Sequence, residues 1–126
     1  MDNKKILFVE DSPTISRIIH DLLSKIGYKK IVHAENGIDA LKKIKNNDFD
    51  LIITDWNMPG MDGIELVSNL RSSDAYKSIP IIMASTNKTE SDIKKAFDSG
   101  INDYIIKPFS NQKLAEKILY QINEQK

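Results

Sequence analysis

The run Leu51-Ile52-Ile53-Thr54-Asp55-Trp56-Asn57-Met58-Pro59-Gly60-Met61-Asp62-Gly63 joins two patterns whose combination decides the fold. Its first four residues are apolar or β-branched and carry no charge, which suits a strand buried on both faces of a parallel sheet. A carboxylate, Asp55, stands at the strand's carboxyl end. Pro59 and Gly60 turn the chain. Gly63 then opens a stripe of helical period at Ile64, Val67 and Leu70.

The same unit recurs on either side. Apolar runs over 6–9, 31–34, 79–84 and 104–106 predict four further strands. Ile15, Ile18, Ile19, Leu22, Leu23 and Ile26 follow a helical stripe, with Ser12 as N-cap, Pro13 at the first helical position and Gly27 at the end. Ile38, Leu41 and Ile44 mark a second helix, and Ile93, Ala96 and Phe97 a fourth that closes at Gly100. Leu114, Ile118, Leu119 and Ile122 mark the last. Five strands alternating with five helices predict an α/β architecture, a five-stranded parallel sheet doubly wound with helices on both faces. Its crossovers should be right-handed.

The chain's 126 residues, 40 % hydrophobic and 29 % charged, suit one domain over 1–126, with no output domain after Lys126. Lysine plus arginine number 18 and aspartate plus glutamate 18, so there is no basic excess to neutralise a phosphate backbone. Direct binding of nucleic acid is not expected. No cysteine occurs, which excludes disulfides, thiolate metal sites and cysteine nucleophiles. No apolar stretch reaches the length of a signal peptide or a membrane span, so a cytoplasmic protein without membrane insertion is expected.

In open α/β sheets the ligand crevice lies beyond the carboxyl ends of the strands. Those ends carry Glu10-Asp11, Asp55, Ser85 and Lys107. Two carboxylate charges about 4 Å apart repel by roughly 4 kcal/mol at an effective dielectric of 20, so three of them ask for a cation. Oxygen ligands without thiolate or imidazole point to Mg2+, with Mn2+ as a substitute. Mg2+ completes its shell with water and phosphate oxygens, which makes this a phosphoryl-transfer site. Asp55 is the candidate nucleophile, able to form an acyl phosphate. Lys107 would meet charge building on a phosphoryl oxygen, and Ser85 would donate to another.

Glu10-Asp11-Ser12, the nine residues Asp55 to Gly63, Ser85, Tyr104 and Lys107-Pro108-Phe109 together resemble the response-regulator receiver family, above all its chemotaxis members, across essentially the whole chain. The resemblance implies the strand order 2-1-3-4-5. It implies that Asp55 takes a phosphoryl group from a phosphohistidine on a histidine kinase (CheA-like). Mg2+ would be held by Asp11, Asp55 and the Asn57 backbone carbonyl, with Glu10 acting through metal-bound water. Ser85 and Tyr104 would form the switch pair, Lys107 would contact the phosphoryl group, and Asn57 and Asn87 would tune its lifetime. Lys107-Pro108 resembles the family's cis peptide. The implied partners are a flagellar motor switch protein (FliM-like) and a phosphatase. The chain is expected to promote its own dephosphorylation without being a turnover enzyme. The family's chemotaxis members often carry lysines at the start of the fourth helix, where this chain has Thr89-Glu90-Ser91-Asp92.

Taken singly, these residues have plainer readings. Glu10-Asp11 alone suits a helix cap, Lys107 an exposed loop, Tyr104 a half-buried aromatic with a wet hydroxyl, and Trp56 a partly exposed packing residue. His20 and His33 read as structural or surface residues, and Met58, Met61 and Met83 as packing. Two other classes compete. A haloacid-dehalogenase-like phosphatase would carry a second Asp where Asn57 stands. A flavodoxin-like carrier would need a phosphate-cradling first loop, where Glu10-Asp11-Ser12-Pro13 would repel the ligand. Within receivers, a phosphorelay intermediate and a phosphate sink share every residue named.

Overall fold

The computed structural model describes residues 3–45 and 47–124. The outermost residues of the expected 1–126 span therefore lie outside the described residues. Strands and helices alternate as β1 (Lys5–Val9), α1 (Pro13–Ile26), β2 (Lys30–Ala34), α2 (Gly37–Ile44), β3 (Leu51–Asp55), α3 (Gly63–Arg71), β4 (Ile81–Ser85), α4 (Glu90–Ser99), β5 (Asp103–Ile106) and α5 (Asn111–Glu124). All pairings are parallel, and the strand order is β2-β1-β3-β4-β5.

Strands apolar on both faces feed two cores. Leu7, Val9, Ile52 and Met83 pack with Ala40, Ile44, Leu66, Val67, Leu70 and Ala96 of α2, α3 and α4. Ile6, Phe8, Leu51, Ile53, Ile82, Ala84 and Ile105 turn the other way, onto Ile19, Leu22 and Leu23 of α1 and Leu114, Ile118 and Ile122 of α5. Alternation along each strand thus distributes one continuous apolar run between two helical layers.

Helix ends follow their sequence signals. Ser12 Oγ accepts from the Ile15 amide ahead of Pro13. Gly27 and Gly100 end α1 and α4 in the left-handed region, both at φ 117°. Asp62 caps α3 by accepting from the Glu65 amide.

The structure departs from the expectation at several positions. The fourth strand starts at Ile81 rather than Ile79, since Pro80 has no N–H to donate. Ile18, Ile38 and Phe97, counted in the apolar stripes, are 45 %, 53 % and 43 % exposed. The short α2 turns Gly37, Ala40 and Ile44 inward instead of Ile38, and α4 buries Ala96 instead of Phe97. Trp56 is not partly exposed: it is buried with Met58 in the core beneath α2, α3 and α4.

Candidate functional site

Register brings the polar strand ends to one rim. Val9 pairs with Thr54, Asp55 with Ala84, and Ser85 with Ile106. One residue beyond β1 stands Glu10, whose amide donates to the Ala34 carbonyl at 3.0 Å. One residue beyond β5 stands Lys107, whose amide donates to the Ser85 carbonyl at 2.8 Å. Residues far apart in sequence therefore meet because parallel strands all end on the same side.

Lys107 organises the rim. Its Nζ lies 2.9 Å from Glu10 Oε1 and 3.3 Å from Asp55 Oδ2. Lysine is rarely buried without a partner, and this one has two. Burial works against its charge, but the hydrogen bond it donates to Glu10 and the Asp55 charge outweigh it and leave the ammonium above its ordinary range. Glu10 is pushed the other way from a carboxylate's preference for ionisation. Its burial raises the pKa, the Lys107 and Ser12 hydrogen bonds offset this only in part, and the Asp55 charge adds to it.

The Asp55 strand end is held by short hydrogen bonds close in sequence. The Trp56 amide donates to Asp55 Oδ1 at 2.7 Å, and the Thr54 hydroxyl donates to the Asp55 carbonyl at 2.9 Å. The loop after Asp55 returns tightly, with the Gly63 amide donating to the Trp56 carbonyl at 2.8 Å. A Cβ at Gly63 would sit 2.2 Å from the Asp55 carbonyl oxygen, so only glycine lets α3 start this close to the strand. The Ser12 amide donates to Glu10 Oε2 at 3.1 Å. These amide donors escape sequence reading because nearly every residue carries one.

Glu10, Asp11 and Asp55 each offer a carboxylate oxygen, and these lie within 4.8 Å of one another. Glu10 is buried, Asp55 half-buried and Asp11 exposed. An all-oxygen set with one open, solvent-facing member fits a small hard divalent cation that keeps part of its water shell. Asn57 is exposed beside Asp55, and its Nδ2 reaches Asn87 Oδ1 at 3.4 Å.

Ser85 is fully buried, and its Oγ accepts from the Asn87 amide at 3.0 Å. Tyr104 is also buried, and its hydroxyl is not wet but donates to the Asn87 carbonyl at 2.5 Å. Burial raises the phenol's pKa, opposed by the Ser85 hydroxyl and helped by the Asp92 and Asp55 charges. The Lys107–Pro108 peptide is cis, as the resemblance implies. No described helix is long and apolar enough to cross a membrane.

The response regulator receiver domain model matches residues 6–119. The chain belongs to the response-regulator receiver family. This receiver is 45 % identical over 115 residues to the chemotaxis protein CheY1 of Helicobacter pylori, covering 90 % of this chain and 93 % of that protein. A Francisella response-regulator receiver domain superposes with a TM-score of 0.91 at 31 % identity, covering 98 % of this receiver and all of that one (100 %). A receiver domain of a Pseudomonas aeruginosa sensor histidine kinase, with a magnesium ion coordinated in its active-site cleft, gives a TM-score of 0.87 at 28 % identity, covering 95 % and 98 %.

Proposed function

We propose that this receiver is phosphorylated on Asp55 by a histidine kinase in the presence of Mg2+, and that the phosphorylated form signals in chemotaxis to a flagellar motor switch protein. The observation that carries the reading is the meeting of Lys107 Nζ with Asp55 Oδ2 at 3.3 Å inside a rim of three carboxylates. A half-buried cation beside an acidic cluster is the arrangement that in-line phosphoryl transfer to a carboxylate needs.

An Asp55 carboxylate oxygen attacks the phosphorus of a phosphohistidine. The new P–O bond forms as the P–N bond breaks, and the departing ring nitrogen keeps the electron pair. Lys107 turns from Asp55 and Glu10 to the phosphoryl oxygens as their charge grows. Asp11, Asp55 and the Asn57 carbonyl would hold Mg2+, with Glu10 reached through water, and the bound ion would supply further neutralisation of that charge. Ser85 and Tyr104 convert the event into output: the hydroxyl of Ser85 leaves Asn87 for the phosphoryl group, and the Tyr104 ring follows into the vacated space. Asn57 and Asn87 flank the acceptor and set how long the acyl phosphate survives water. The receiver acts in the cytoplasm as a switch, without turnover of a free substrate. The CheY relatives support the chemotactic role.

Acetyl phosphate with Mg2+ should label the wild type, and Asp55→Asn should lose the label. Persistent stoichiometric labelling of that variant under native conditions refutes the acceptor. Beryllofluoride, which mimics the phosphoryl group, should tighten binding of a motor-switch peptide by roughly 5–150-fold, the usual allosteric range. Equal affinity in both states overturns the motor reading and favours a relay or sink.

A further inference from the structure

His33 lies on the edge strand β2, and its ring does not point idly into solvent. Its Nε2 lies 2.8 Å from the Glu10 backbone carbonyl and 2.9 Å from Ser16 Oγ. A carbonyl only accepts, so the ring nitrogen must carry the proton and donate. The Ser16 hydroxyl adds a longer donation to the same carbonyl at 3.4 Å. The ring itself is held flat against Phe8, with centroids 4.7 Å apart and planes 20° from parallel. Lys43 Nζ donates to the His33 carbonyl at 2.5 Å, tying this residue's main chain to α2.

The clamped carbonyl belongs to the peptide that joins Glu10 to Asp11. That peptide is planar, so fixing its oxygen fixes its N–H and the direction in which Asp11 departs. Among the described residues no hydrogen bond or ion pair holds the Asp11 carboxylate itself. The peptide plane behind it therefore sets where the Asp11 side chain starts, and rotation about its own bonds completes the approach to Asp55. The Glu10 amide is already tied to Ala34, which makes His33 and Ser16 the groups that complete the clamp.

We infer that His33 is a positioning residue for the cation site, acting through the Glu10–Asp11 peptide with Ser16 as its auxiliary. The inference rests on the Mg2+ reading above. Groups that orient metal ligands from behind typically contribute 10–100-fold in metal affinity, and the effect here belongs near the lower end, because one peptide lies between. His33→Phe keeps a flat ring on Phe8 and removes the donor. His33→Gln removes the ring and keeps an N–H donor.

Mg2+ titrations followed by Trp56 fluorescence test the idea on the intact chain. His33→Phe should weaken Mg2+ by about 10-fold, and His33→Gln should recover part of the loss. Unchanged affinity in His33→Phe overturns the role, as does a loss in His33→Gln as large as that in His33→Phe, since restoring the donor would then recover nothing. If the wild type shows no Mg2+ binding at all, the metal reading fails instead. A second measurement needs no substitution. Nitrogen-15 spectra of the neutral His33 ring should place its proton on Nε2, and a proton on Nδ1 would overturn the clamp.

Discussion

Replacing Lys107 by methionine removes a charge while keeping most of the stem's volume, so its cost reports the ion pairs. At 2.9 Å and 3.3 Å the attractions to Glu10 and Asp55 are about 6 and about 5 kcal/mol at an effective dielectric of 20. Burying the three groups consumes much of this, because each charge forfeits several kcal/mol of hydration. Loss of the ammonium strands Glu10, 3 % exposed, against Asp55, 11 % exposed. Breaking such a pair by removing one partner costs about 3–5 kcal/mol, and partial access to water on the Lys107 side points to about 3. With an unfolding entropy of roughly 2.1 cal/mol/K per residue, that corresponds to a fall of about 10 °C in Tm.

Acidity separates this account from simple loss of packing. Glu10 has a folded pKa above its ordinary 4.5, so its contribution to stability is full below 4.5 and is lost as pH rises through the folded value. Without Lys107 the folded value moves higher still. The deficit of Lys107→Met relative to wild type should therefore be largest at neutral pH and shrink as pH falls toward 4.5. Urea unfolding without divalent ions, at a series of pH values, measures it. A neutral-pH deficit below about 1 kcal/mol, or one that is the same at every pH, would refute the reasoning.

Other perturbations test the scaffold. Arg71 donates to the carbonyls of Tyr76, Lys77, Ile79 and Gly100 and to Asn102 Oδ1, so Arg71→Lys, which cannot reproduce this fork, should cost about 2–4 kcal/mol in urea unfolding. Tyr28→Phe should stabilise by about 1 kcal/mol in the same assay, since the Tyr28 hydroxyl is buried without a protein partner among the described residues. Gly63→Ala should cost at least about 2 kcal/mol and shift Trp56 fluorescence, because its methyl would meet the Asp55 carbonyl and Trp56 Cα at 2.2 and 2.9 Å.

What the sequence determined by itself is mostly local. Runs such as Leu51-Ile52-Ile53-Thr54 declare a strand buried on both faces, because a charge-free run has no solvent side to turn outward. Ser12-Pro13, Gly27 and Gly100 mark helix ends because capping and left-handed backbone depend on the residue at that one position. The Asp55–Gly63 motif was legible for the same reason, with its carboxylate, turn and helix start adjacent along the chain. Tertiary structure alone decided what converges. Lys107 and Glu10, 97 residues apart, pair through strand order and register, which no window of sequence contains. Trp56 reads as a loop residue until α2, α3 and α4 close over it, and His33 as a surface residue until β2 lies beside β1. Phe97 and Ile38 failed the opposite way: period fixes which residues share a helix face, whereas the neighbouring elements decide how much of that face is covered.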